Sequence, residues 1–342
     1  MTATLMPPGL GGELVIAAAD YRRDRGAWLR ARRSGLGASD TAGILGLVDY
    51  PNSTPLAIWQ EKTSKVPPDD SDMSDAAEWG NILEHPVAVQ TAKKWPEIGK
   101  LVPTPGLLRH PEHSWMLATV DRLLVPRRVK SPEVTSILEV KTTTSRNWRA
   151  RWLDGLPPAS IQVQCQQQLA VTGLPFVWVA CWLRDTAQLL EPVKVPRSDE
   201  VIEQLISYGG AWWRDHVEGG LRPEPVFADH SKLSGLWAVD AAADAVKAGP
   251  ALEDKVARWE DAKRRKQEAE AEEDLLAFEL KTAMKERTGI VDGGGELLVS
   301  WRAQVERRMD TKRFKADHPE LAAEYSPAKT KRVLRGTKRG DE

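Results

Sequence analysis

The chain has 342 residues, room for two domains, or one large domain with an appendage, at roughly 100–200 residues per domain. Hydrophobic residues at 41% and charged residues at 28% exclude a wholly disordered chain. With 48 Lys+Arg against 49 Asp+Glu the net charge is −1, so a nucleic-acid site must come from local clustering, not from overall charge.

Residues 1–18 read as a small-residue lead-in, and the arginine-rich stretch 19–33 as a helix with Trp28 and Leu29 as its apolar residues. GLGASD at 35–40 is a glycine-punctuated loop in which Ser39 or Asp40 is placed to cap the next helix. TPLAIW at 54–59 starts another helix with Pro55 in its first turn, and the Pro-rich stretch 65–75 is a surface loop. A helix is predicted over about 75–95, with Trp79, Leu83, Val87 and Thr91 on one inward face. Strands are predicted at 114–126 and 136–143, separated by the basic loop RRVKSPEV. A helix opened by Pro157 and Pro158 runs to about Thr172, with Ile161, Cys165 and Leu169 as its buried stripe and glutamines at 162, 164, 166, 167 and 168 flanking it. Strands at 176–183 and 188–195 and a Trp-rich helix at about 198–217 complete an α/β unit with a central mixed sheet. Beyond about 230 the character changes. Residues 251–288 form a long charged helix or helical hairpin, GGG at 293–295 a turn, 296–305 a strand, and 327–342 a basic tail expected to be disordered.

Two cysteines, Cys165 and Cys181, cannot build a disulfide framework or a four-Cys metal site. The start lacks a basic segment followed by a long apolar one, and the longest apolar run, 175–183, is far short of the about 20 residues a membrane span needs. A soluble, cytoplasmic protein without a membrane partner is the expectation. No histidine pair has metal-ligand spacing.

The chemistry is concentrated in Asp121 and in Glu139–Val140–Lys141. Glu139 and Lys141 are two apart on a predicted strand and share a face. A lysine and two carboxylates among Ile137, Leu138 and Val140 are costly unless paired or used. Two carboxylates facing one point suit Mg²⁺, and the lysine can orient water or offset charge at a phosphate. The same spacing also arises in a surface ion cluster. Glu84, on the 75–95 helix, is placed to reach such a site. Arg146, Trp148 and Arg149, interleaved after the ExK strand, suit DNA contact or packing. Trp178, Trp182, Trp212 and Trp213 read as core.

Taken in order, GLGASDTAGILG, TPLAIWQEKT, EWGNILE, ATVDRLL, SILEVKTT and IQVQCQQQLAVTG resemble the YqaJ-type viral recombinases, the lambda-exonuclease branch of the PD-(D/E)xK nucleases. The resemblance spans about residues 22–220, and the C-terminal region resembles the family's extension. It implies a PD-(D/E)xK restriction-endonuclease-like α/β core over 19–225, a central mixed sheet flanked by helices, followed by a helical extension over 235–326. It implies that Asp121, Glu139, Glu84 and the Val140 backbone carbonyl bind metal, Mg²⁺ with Mn²⁺ as substitute, and that Lys141 is the motif lysine. Arg32, Ser39 and Thr119 match positions that cradle a 5′-phosphate, and Gln164 and Gln166 match the glutamine motif. Val120 stands where the superfamily has proline. The implied activity is 5′-to-3′ exonuclease digestion of double-stranded DNA ends for phage-type recombination. The implied partners are a single-strand annealing recombinase and further copies of the chain in a trimeric ring. An endonuclease, a single-strand nuclease and a non-catalytic DNA-binding module are the alternatives.

Overall fold

The computed structural model describes residues 6–48, 50, 52–66, 75–130, 132–237, 245–326 and 333–336. The chain divides into two compact units, Met1–Leu233 and Ser234–Glu342.

The first unit begins with strand β1 (Glu13–Ala17) and helices α1 (Ala18–Arg23), α2 (Arg25–Arg32), α3 (Ala38–Ile44), α4 (Pro55–Thr63) and α5 (Asp75–Lys94). Strands β2 (Lys100–Pro103), β3 (Gly106–Arg109), β4 (Leu117–Ala118), β5 (Arg122–Val125) and β6 (Ser136–Thr143) follow. Then come α6 (Ser145–Arg151), α7 (Ala159–Thr172), β7 (Phe176–Leu183), β8 (Gln188–Leu189), β9 (Val193–Pro196) and α8 (Asp199–Trp212).

The main sheet has the order β2-β5-β6-β7-β8, with β9 also on β7. Only the β6–β7 pairing is parallel within it. A parallel pair needs a long crossover, and α6 and α7 supply it. Strand β7 is a near-continuous apolar run, as a strand covered on two faces must be, whereas β6 is apolar only at Ile137, Leu138 and Val140 and carries Glu139 and Lys141 between and beyond them. Along them the side chains alternate between layers. Leu123, Ile137, Val177 and Val179 pack with Cys165 and Leu169 of α7 and Ile202 and Leu205 of α8. Leu124, Leu138 and Ala180 pack with Ala88 and Ala92 of α5. Helices therefore flank a central mixed sheet, the α/β arrangement that the PD-(D/E)xK resemblance implies.

A second, three-stranded sheet, β1-β3-β4, lies within the same unit. The segment before α3 joins it through a bridge from Leu36 to Met116. Gly35 is required there, because a Cβ would stand 2.4 Å from the Trp115 carbonyl oxygen. Gln167, fully buried, staples the junction by donating to the Leu36 and Leu117 carbonyls at 2.8 Å each and by meeting the Thr41 hydroxyl. Helix α7 ends at Gly173, whose φ of 70° is the left-handed C-cap conformation that glycine adopts without strain.

Several expectations are corrected. Residues 13–17 are a strand, paired antiparallel with β3. The 19–33 helix is broken at Asp24, whose side chain caps α2 by accepting the Ala27 N–H. Gly37 is the N-cap of α3, and Asp40, inside the helix, accepts the Gly37 N–H at 2.9 Å. The 114–126 strand is two short strands in different sheets, with residues 119–121 between them. The 188–195 strand is likewise split into β8 and β9. Trp79 is 57% exposed, whereas Val87 and Thr91 are buried as expected. Gln166, Gln167 and Gln168 are buried, not flanking. Trp212 is buried, while Trp178 and Trp213 are partly buried against apolar clusters.

In the second unit, Pro250–Met284 is one continuous helix, not a hairpin. A two-stranded sheet, Gly289–Val291 with Leu297–Ser300, and two short helices, Thr311–Asp317 and Pro319–Glu324, follow. Of the expected basic tail, 327–332 and 337–342 lie outside the described residues. Among the described residues no helix is long and apolar enough to cross a membrane.

Replacing Gln167 by leucine removes a buried donor from the Leu36 and Leu117 carbonyls and the acceptor of the Thr41 hydroxyl, leaving the Leu36 carbonyl with only the Leu117 N–H. A loss of about 1–3 kcal/mol is expected, read as a lower urea midpoint at unchanged slope.

Candidate active site

The alternation that builds the core also builds the site. Ile137 faces α7, so Glu139 and Lys141, two and four residues further along β6, face it too. Strand β5 pairs with β6 only as far as Leu138. Past that point the β6 backbone edge is open, and the Asp121 carboxylate takes over, accepting the Val140 N–H at 2.7 Å. In a strand a residue's N–H and C=O point to the same side. The Val140 carbonyl therefore faces the edge occupied by Asp121. Asp121 reaches this position because the chain leaves regular strand pairing between β4 and β5.

Glu139, its side chain 2% exposed, is held on both oxygens. Lys141 Nζ and Gln164 Nε2 donate to Oε1, each at 2.6 Å. Gln168 Nε2 donates to Oε2 at 2.7 Å and to the Thr119 carbonyl at 3.1 Å. Its own Oε1 is left buried without a partner. Lys141 Nζ also donates to Gln164 Oε1 at 2.9 Å. Glu84, on α5, pairs with Arg122, which bonds the Asp121 carbonyl as well.

The electrostatics follow from this crowding. Burial, then the charges of Glu139 and Glu84, push the Asp121 carboxyl well above the usual carboxylate range, against the pull of Lys141 and the Val140 N–H. Burial works against the Lys141 charge, but Glu139 and Asp121 outweigh it and hold the ammonium above its ordinary value. The cluster thus carries more negative charge than Lys141 offsets. That excess, with hard oxygen donors on Asp121, Glu139, Glu84 and the Val140 carbonyl lining one cleft, fits a divalent cation. Among the described residues no three such side chains already converge as a metal cage, and Glu84 must leave Arg122 to join one.

The cleft, of about 970 Å³, is also lined by Arg32, Ser39 and Thr119, together with Arg25 and Trp28. The guanidinium carbons of Arg25 and Arg32 lie 5.2 and 5.1 Å from the centre of the Trp28 ring. Arg32 Nη2 bonds Asp40 Oδ1 at 2.8 Å, and the buried Lys62 lies 2.7 Å from Asp40 Oδ2. Burial works against the Asp40 charge, but Lys62 and Arg32 overcome it and bring the carboxyl from 3.8 to about 2.

Of the residues singled out in the sequence, Asp121, Glu139, Val140, Lys141, Glu84, Arg32, Ser39, Thr119 and Gln164 all line this one cleft. Gln166 does not. Its amide is spent on the Pro196 carbonyl at 2.8 Å and the Ser198 N–H at 2.9 Å. Arg146 and Arg149 are exposed on α6, outside the cleft lining, and Trp148 packs against the core. Sequence reasoning missed the structural part played by Gln167 and Gln168 and the Asp40–Lys62 pair. The signal for the glutamines was spacing: 164, 167 and 168 share one helix face, and 166 lies off it.

Asp40 has its folded pKa depressed. Its contribution is present above 3.8 and is lost as pH falls toward 2. Asp40→Asn is expected to cost on the order of 2 kcal/mol at neutral pH. The stabilities of variant and wild type should converge as pH falls from 4 to 2, which chemical unfolding across that range reads directly.

The YqaJ-like viral recombinase domain matches residues 27–175. Over 312 residues the chain is 30% identical to the uncharacterized protein YqaJ of Bacillus subtilis (strain 168), covering 90% of this chain and 92% of that relative. An alkaline exonuclease, LHK-Exo, from Laribacter hongkongensis is similar in structure at a TM-score of 0.45 and 18% identity, over 61% of this chain and 97% of that one. LHK-Exo in complex with dAMP gives 0.46 at the same identity and coverage. The match to YqaJ along nearly the whole of both chains shows that this chain belongs to the YqaJ-like viral recombinase family.

Proposed function

We propose that the chain is a metal-dependent deoxyribonuclease that digests double-stranded DNA from 5′-phosphorylated ends, 5′ to 3′, and leaves 3′ single strands for phage-type recombination. The observation that carries this reading is the cleft itself. Two carboxylates and a lysine surround an open strand edge, and the same cleft is lined by an arginine and two hydroxyls suited to a phosphate. Membership of a viral recombinase family supports DNA as the substrate; a single-strand annealing recombinase and further copies of the chain are the partners this reading proposes.

Asp121, Glu139 and the Val140 carbonyl, joined by Glu84, would hold Mg²⁺, with Mn²⁺ as a substitute and room in the donor set for one or two ions. Bound there, the cation supplies Lewis-acid stabilisation of charge at the phosphate and at the leaving oxygen. The Lys141 ammonium orients the attacking water and offsets charge on the scissile phosphate. Gln164 keeps Lys141 and Glu139 in register by bonding both. Water oxygen bonds to phosphorus, the 3′-oxygen of the terminal nucleotide leaves and takes up a proton, and a 5′-mononucleotide departs. The strand that remains carries a new 5′-phosphate. Arg32, paired with Asp40 yet lining the cleft, is suited to receive it, with Ser39 and Thr119 as hydroxyl donors. This end pocket is what favours an exonuclease over an endonuclease.

The test is digestion with Mg²⁺ of linear duplexes bearing 5′-phosphate or 5′-hydroxyl ends, beside covalently closed circles. Mononucleotides are expected from linear DNA, faster from phosphorylated ends. Cleavage of circles would instead mean an endonuclease. Absence of cleavage by folded protein, with Mn²⁺ also tried, would mean a binding module. Lys141→Ala should lower turnover by at least about a hundredfold while far-ultraviolet circular dichroism stays unchanged.

A further inference from the structure

Lys62 is the most costly cation in the first unit to explain by folding alone. Its side chain has no exposure, and an ammonium loses several kcal/mol of hydration when buried unless it is compensated. Many surface pairs elsewhere in the chain show that carboxylates here do not need buried lysines to be satisfied. Asp40 in particular already has Arg32 on Oδ1 at 2.8 Å and the Gly37 N–H on Oδ2 at 2.9 Å.

What Lys62 adds is visible in where its three donors go. Nζ lies 2.7 Å from Asp40 Oδ2, donates to the Arg32 backbone carbonyl at 3.1 Å, and stands 3.4 Å from Glu61 at the cluster's edge. It thus holds Arg32 at both ends, the main chain directly and the guanidinium through Asp40. It also sets the charge. Arg32 and Asp40 alone make a neutral pair, which attracts a phosphate weakly. With Lys62 the triad is net positive by one; Glu61, at its edge and 36% exposed, is a partner that water screens, and only Arg32 of the three lines the cleft.

We propose that Lys62 is a positioning residue for end recognition: it neutralises Asp40 from behind, so that Asp40 orients Arg32 without cancelling the charge Arg32 presents to a terminal phosphate. This rests on the reading of Arg32 as the 5′-phosphate ligand. Lys62 touches no DNA, and its effect is on selectivity between ends.

The experiment is the ratio of initial digestion rates of 5′-phosphorylated and 5′-hydroxyl linear duplexes by the full chain with Mg²⁺. A general loss of stability lowers both rates and leaves the ratio alone. Lys62→Met should lower the ratio roughly tenfold, the worth of one weakened charge-assisted hydrogen bond. The double variant Asp40→Asn/Lys62→Met, which removes one charge of each sign and leaves Arg32 uncancelled, should return the ratio to within about threefold of wild type on the same scale. Should Lys62→Met fail to fold, the double variant carries the test, since it removes one buried charge of each sign and leaves without a carboxylate only Arg32, which reaches the cleft, and collapse of its ratio to one overturns the charge account. A wild-type preference that Lys62→Met retains overturns the proposal and leaves the end-binding reading standing. A wild-type ratio of one overturns that reading, and this proposal with it.

Discussion

A carboxylate almost wholly withdrawn from water has to be met by donors on both oxygens, and in this chain the residue under that constraint is Glu139. Lys141 and Gln164 meet one oxygen and Gln168 the other. Meeting them fixes the spacing of α7 from β6, the rotamer of Lys141 and, through the Thr119 carbonyl, the course of the chain entering Asp121. Apolar residues of similar volume at 139, 141, 164 and 168 together would fill this part of the core without the desolvation that the carboxylate and ammonium incur. The arrangement costs stability at this point, which is the usual mark of a site kept for chemistry.

The cleft joins two clusters of opposite excess charge. Around β6 the negative groups outnumber Lys141, and burial first, then the charges of Glu139 and Glu84, hold Asp121 well above its ordinary range. Around α3 the buried groups sum the other way. Helix α7 ties both to the same frame with neutral amides: Gln164 and Gln168 at the carboxylates, Gln167 at the Leu36–Leu117 junction that leads into α3 and Thr119. Amides can do this without adding charge to either cluster.

The sequence was legible where a local rule and the tertiary structure agree. Strand 176–183 is legible to the residue because a strand buried on both faces is a long apolar run, and 136–143 because Ile137, Leu138, Val140 and two threonines are strand-favouring residues. Asp121, Glu139 and Lys141 could be read because period-two alternation puts the last two on one face. Strands β1, β2 and β3 escaped notice: each is four or five residues long and built of ordinary apolar residues beside proline or glycine. Trp79 was misplaced because an aromatic at helical spacing is expected inside, and here it stands in the exposed first turns of α5. The glutamines misled for a related reason. Amides on a helix look like a solvated flank, and only the backbone carbonyls of Leu36, Leu117 and Thr119, brought in from far along the chain, explain their burial. Lys62 could not be found at all from sequence, since its partner Asp40 is 22 residues away and its role depends on the pairing of both with Arg32.

We propose that the crowded carboxylates of the cleft bind a divalent cation. Calorimetric titration of the full chain with Mn²⁺, in the absence of DNA, tests it without reference to activity. Saturable binding by the wild type, lost in folded Glu139→Gln and Asp121→Asn, is the predicted result. Equal heats from wild type and variants, or no saturable binding by a folded wild type, would contradict it.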